Sequence, residues 1–81
     1  MVSRDAMRSV PAGARVPVWV VAVVGSGEDA QAVVEPVGDS SVSVRVRAGV
    51  LAGRLGVPVE RLAGVRFEAA VDAGGVIDPL R

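Results

Sequence analysis

The stretch SVSVRVRAGVLAGRLG, residues 41–56, contains the two patterns that decide the fold. Its first seven residues alternate valine with serine or arginine, which predicts a β-strand with one apolar and one polar face. The next eight place valine and leucine at the spacing of one helical face, and Gly56 follows where a helix C′ glycine belongs. We therefore predict a strand over residues 41–47 that runs directly into a helix over residues 48–55.

Two further strands are predicted upstream of this segment. Residues 16–24, VPVWVVAVV, form an almost continuous run of apolar and mostly β-branched residues. Such a run predicts a strand that is covered on both faces. The turn residues GSGED follow at 25–29, and residues 30–37 are predicted to form a second strand that ends at the Gly38-Asp39 turn.

Downstream of the helix, Pro58 can open a short turn over residues 58–63 that points Val59 and Leu62 inward. Residues 65–72 alternate again, which predicts a strand with Val65, Phe67, Ala69 and Val71 on its buried face. The sequence Ala-Gly-Gly at 73–75 predicts a hairpin turn, and residues 76–77 begin a short last strand.

The predicted fold class is mostly β, with the element order β-β-β-α-β-β in a single small domain over residues 16–81. Three strands, a helix and two more strands are the element order of a small OB-like barrel. An open α+β sheet with one helix across its face is the alternative. Residues 1–15 lack periodicity and are predicted to form a flexible N-terminal arm.

Composition limits how this domain can be stabilised. Twenty of the 81 residues are valine. The chain has neither cysteine nor histidine, so neither a disulfide nor a structural zinc site can stabilise the domain. A core this small gives marginal stability, and association with another chain is a common remedy. The bias toward Val, Ala, Gly and Arg is typical of GC-rich codons, from which we expect a high-GC bacterial source.

The inventory of catalytic groups is poor, and we predict no catalytic residue, no metal site and no cofactor. Without His, Cys, Lys or Tyr the commonest general bases and nucleophiles are missing. The carboxylate pairs Glu28/Asp29 and Asp72/Asp78 lie in or beside turns, where acids are ordinary. The string GSGEDA at 25–30 has the outline of a dinucleotide-binding fingerprint, but its acids would repel phosphates and Pro36 would cut the following helix short.

We therefore predict a non-enzymatic protein–protein binding or assembly module. Its first strand is too apolar for a small monomer to hide, so it is expected to bind a second copy of itself and another protein. The predicted interface residues are Val18, Trp19, Val20 and Val21. Trp19 is the only tryptophan, a residue type enriched in binding hot spots.

The alternative function is a small nucleic-acid-binding or regulatory barrel. Arg45, Arg47 and Arg66 alternate outward and could form one anion or partner face if their strands are neighbours, with Arg4, Arg8 and Arg15 of the arm as a clamp. Nine acidic against nine basic residues give zero net charge, which disfavours a primary role in gripping nucleic acid or an anionic membrane. The N-terminal residues carry charges and no apolar h-region, so we expect a cytoplasmic protein without membrane association.

Overall fold

The computed structural model describes residues 13–81, which form five β-strands and one α-helix. The elements in chain order are β1 (Arg15–Val24), β2 (Gln31–Pro36), β3 (Val44–Arg47), α1 (Ala48–Leu55), β4 (Arg66–Val71) and β5 (Ile77–Asp78). Single turns of 3₁₀ helix precede β2 and follow α1, at Gly27–Asp29 and Val59–Arg61. The predicted order β-β-β-α-β-β is confirmed.

The strands form one antiparallel sheet in the order β3-β2-β1-β4-β5, with the long strand β1 at its centre. The sheet curls into a nearly closed barrel, and α1 packs against β2 and β3. This is the small OB-like barrel that the element order predicts. The open α+β sheet is not the fold that the chain adopts. The GSGED segment connects β1 to β2 as a hairpin and opens no long helix.

The barrel interior is filled mainly by valine and alanine. Inward positions pair across the sheet: Val18 lies opposite Phe67 on β4, and Val20 lies opposite Val34 on β2. Leu51 of α1 and Leu62, which follows the second 3₁₀ turn, are the largest fully buried side chains. The residues of β4 that the alternation predicts to face inward do so, and Phe67 packs against the core.

A β-bulge in β1 explains why its sequence does not alternate. Val20 pairs with Val34, whereas Ala22 pairs with Val33, so Val21 is an extra residue on β1. The insertion changes which positions face inward, because a one-residue shift moves side chains to the other face of a strand. Val23 consequently packs against the core. An unbroken apolar run can thus serve a strand that is buried on its inner face only.

The third strand is shorter than predicted. It begins at Val44, and upstream of it Asp39 holds Ser41 in a turn. The Asp39 carboxylate oxygen Oδ1 accepts hydrogen bonds from the backbone N–H of Ser41, at 3.1 Å, and from the Ser41 hydroxyl. Such local side-chain bonds compete with the ladder of a sheet. Val42 is half-buried but does not pack against the core.

The boundary of the predicted N-terminal arm also needs correction. Residues 13–15 belong to the barrel: the Gly13 N–H donates to the Val71 carbonyl at 2.8 Å, and the Val71 N–H donates to the Ala14 carbonyl at 2.9 Å. Arg15 is the first residue of β1. Backbone pairing with β4 thus extends toward the N-terminus beyond Val16, the first residue that the apolar pattern assigns to the strand. The rest of the predicted arm, residues 1–12, lies outside the described residues.

Helix α1 ends as predicted at Gly56, whose φ of 71° lies in the left-handed region. The Val57 N–H donates to the Ala52 carbonyl at 3.1 Å, which is the long bond of a Schellman motif. A side chain at Gly56 would be strained, whereas Gly53, inside the helix, has a helical backbone and open space around it.

We expect G56A to destabilise the domain by about 1–2 kcal/mol and the matched variant G53A to stabilise it by about 1 kcal/mol. Urea unfolding at equal protein concentration measures both changes. Equal effects of the same sign would contradict the cap described here.

Candidate functional site

Trp19 lies on the outer surface of the sheet, between two oppositely charged side chains. The register pairs it with Glu35 on β2 and with Arg66 on β4. All three alternate with inward-facing residues, so they form one row across the outer surface, with neighbouring Cβ atoms about 5 Å apart. Trp19 and Glu35 are half-buried, and Arg66 is exposed.

Apolar residues continue this surface along β1. Val21 and Ala22 are half-buried and do not belong to the core, and Val33 lies opposite Ala22 on β2. Val24, the last residue of β1, retains 46% of its accessible area, and Val37, which follows β2, retains 43%. We call the outward surface formed by Trp19, Val21, Ala22, Val24 and Val33, flanked by Glu35 and Arg66, the β1 face.

A groove of about 220 Å³ opens beside Trp19, at the end of the β1 face where β1 begins and β2 ends. Its walls are the Trp19 ring, the end of β2 and the turn that follows, and its lining residues are Trp19, Glu35, Pro36, Gly38, Asp39 and Ser40. The Asp39 oxygen Oδ2 is buried and has no hydrogen-bond partner within residues 13–81. Two carboxylates and an aromatic ring therefore line one groove, which is a setting that suits a cationic group.

The structure corrects half of the predicted interface. Val18 and Val20 are 0% exposed and lie in the core, where they cannot contact a second molecule. Trp19 and Val21 remain on or near the surface, Trp19 because alternation turns it away from Val18 and Val21 because it is the inserted residue of the bulge. The candidate interface is therefore the β1 face rather than the whole strand.

The three predicted arginines do not lie on neighbouring strands. Arg45 and Arg47 are exposed on β3, at one end of the sheet order, whereas Arg66 is on β4. Strands β2 and β1 separate the two groups, so the condition for a single three-arginine face is not met. Arg66 instead belongs to the row that contains Trp19. The nucleic-acid alternative stays a prediction that rests on Arg45 and Arg47.

Arg15, expected as part of a basic clamp, is exposed and hydrogen-bonds to the backbone of its own domain. Its Nη2 donates to the backbone carbonyls of Glu68, at 3.0 Å, and Arg81, at 3.3 Å. Arg4 and Arg8 lie outside the described residues.

Of the two carboxylate pairs considered for catalysis, Asp72 and Asp78 have local structural partners beside β5. Asp72 Oδ1 accepts from the backbone N–H groups of Gly74 and Val76, at 2.8 and 3.0 Å. Asp78 accepts from the Leu80 N–H at 3.1 Å and forms an ion pair with Arg81 at 3.4 Å. Both side chains therefore stabilise the turns beside β5, and a groove of about 350 Å³ nearby is lined partly by these already paired groups.

Two residues of the groove, Glu35 and Asp39, were missed by sequence reasoning. Glu35 is the only charged residue within the apolar strand β2, which signals an outward position. The sequence does not give the register that sets it beside Trp19. The sequence predicts Asp39 only as a turn residue, because the burial of its oxygen depends on how the turn folds against the sheet.

No helix within residues 13–81 is long and apolar enough to cross a membrane. The same part of the chain contains no group of three or more acidic, histidine or cysteine side chains arranged to hold a metal ion. Comparison of the chain with protein-family models, with curated proteins and with solved structures finds no significant match in any of the three.

Proposed function

We propose that this protein is a non-enzymatic assembly module of the cytoplasm that self-associates through the β1 face and presents the assembled barrels to another protein. The observation that carries the proposal is the position of Trp19. The only tryptophan of the chain lies half-buried on the outer face of the central strand, between Glu35 and Arg66 and next to the apolar residues Val21 and Ala22.

The outer face of β1 differs from a solvated sheet surface. Antiparallel sheets with one face in water normally alternate apolar residues with polar ones. After Arg15, the outward positions of β1 are instead occupied by Pro17, Trp19, Ala22 and Val24, none of which has a charged side chain. A contiguous apolar surface of this kind, rimmed by charges, is typical of a protein–protein contact.

The edges of the sheet offer a poorer route to association. β3 has four residues and β5 has two, so either edge provides few free backbone groups for pairing with another chain. β3 also carries the exposed Arg45 and Arg47, and charged side chains on short edge strands oppose edge-to-edge pairing. This comparison favours contact through the sheet face.

Trp19 provides its own test, because its fluorescence reports the environment of the proposed interface alone. On dilution from millimolar to sub-micromolar concentration, the emission maximum is expected to shift to the red as Trp19 passes from the buried interface into water. Far-UV circular dichroism measured on the same samples should stay constant, which separates dissociation from unfolding. An emission maximum that stays at one wavelength over the whole range, with the fold intact, would contradict self-association through this face.

A further inference from the structure

We propose that the second copy docks on the β1 face about a two-fold axis parallel to β1, with Arg66 of each copy held in the Glu35/Asp39 groove of the other. This inference rests on the proposed function and adds the geometry of the contact. Three observations carry it: the order of charges in the row across Trp19, the two carboxylates that line the groove beside Trp19, and the absence of an ion pair within the row.

The row has an acid on one side of Trp19 and a base on the other. Neighbouring strands lie about 4.8 Å apart, so the Glu35 and Arg66 backbones are separated by about 10 Å with Trp19 midway. Within residues 13–81 the only ion pair joins Asp78 and Arg81. The charges at both ends of the row are therefore free to meet a partner.

The direction of the two-fold axis follows from this order. An axis parallel to β1 exchanges left and right across the row, so that Glu35 of one copy faces Arg66 of the other and Trp19 faces Trp19. An axis perpendicular to β1 in the same plane would put Glu35 against Glu35 and Arg66 against Arg66. Like charges brought together in an interface cost several kcal/mol, so only the first arrangement is self-complementary. It is also closed, since each contact occurs twice and no free face remains to extend a filament.

The groove has the chemistry to receive a guanidinium. Arginine binds carboxylates through a planar fork of N–H donors and stacks on aromatic rings. Glu35 provides one carboxylate, Asp39 adds a second negative charge beside it, and Trp19 lines the same groove. Arg66 of a second copy, docked about the parallel axis, lies over this groove, where it can meet the Glu35 carboxylate and the Trp19 ring.

Charge reversal tests the arrangement. E35R and R66E should each weaken self-association by at least about 100-fold, because each brings like charges together at both symmetry-related contacts. Mixing the two variants should restore a dimer that contains one of each, since opposite charges then meet at both contacts. The double variant E35R/R66E should self-associate more tightly than either single variant, because opposite charges meet again at both contacts. It should associate less tightly than the unchanged protein, because the acid introduced at position 66 then lies beside Asp39 in the groove. E60R, which reverses an exposed charge in the 3₁₀ turn after α1 and outside the β1 face, is the matched control and should change the dissociation constant less than about threefold.

Sedimentation velocity on each variant and on the mixture, with circular dichroism to verify folding, distinguishes the outcomes. If the unchanged protein is a monomer at every concentration, the proposed function fails and the inference fails with it. If the unchanged protein self-associates but E35R and R66E do so equally well, or their mixture forms no mixed dimer, the docking geometry is refuted while self-association stands.

Discussion

The W19A variant should be a monomer at concentrations where the unchanged protein is self-associated. Removing a tryptophan from the centre of an interface typically costs 2 kcal/mol or more, which corresponds to a dissociation constant raised by at least about 30-fold. The effect is expected to be large here because a two-fold contact loses two indole rings at once. Sedimentation equilibrium of the purified variant measures it.

V76A is the control for this prediction. Val76 is a 48% exposed apolar residue in the turn before β5, away from the β1 face, so its truncation should leave the association unchanged. A22E is a second variant for the case in which W19A folds poorly: Ala22 is a small outward residue, and the substitution sets two carboxylates against each other across the proposed axis. Undiminished association of a folded W19A or A22E would place the contact elsewhere on the barrel.

The L51A variant should lose most of the stability of the isolated domain. Leu51 is 0% exposed and packs in the core below the sheet. Truncating such a leucine costs about 2–5 kcal/mol through lost transfer free energy and the cavity left behind. A small domain has a total stability near the lower end of about 5–15 kcal/mol, so the midpoint of thermal unfolding should fall by roughly 10 °C or more.

V50A is the matched control on the same helix, since Val50 is 51% exposed. Its unfolding free energy should change by less than about 0.5 kcal/mol. Both variants need to be compared with the unchanged protein at one concentration, because the proposed self-association would stabilise the folded state by mass action. If V50A proved as destabilising as L51A, that result would contradict the orientation of α1, in which Leu51 faces the core and Val50 faces solvent.

Local patterns in the sequence account for most of the fold. The alternation at residues 65–72 gives the inward face of β4, and Gly56 marks the end of α1, because each pattern depends only on neighbouring residues. The start of β3 could not be predicted in this way. The serines before Val44 continue the alternation, yet Asp39 binds Ser41 and holds it in a turn.

The candidate site was predictable only in part, because it depends on register. Residue type and position in an apolar run predict Trp19 as an interface residue. The bulge at Val21, which leaves Val18 and Val20 in the core, arises from pairing with β2. The predicted link between Arg66 and the arginines of β3 assumed neighbouring strands, and a sheet order that inserts β2 and β1 between them cannot be deduced from local periodicity.

The most direct test of self-association is the solution mass of the unchanged protein, measured by light scattering at low and at high salt. Contact through an apolar face centred on Trp19 predicts a mass of about twice the 8.2 kDa of one chain at both salt concentrations, with some weakening at high salt as the Glu35–Arg66 contacts are screened. A mass of one chain at every concentration and at both salt levels would contradict the proposed function.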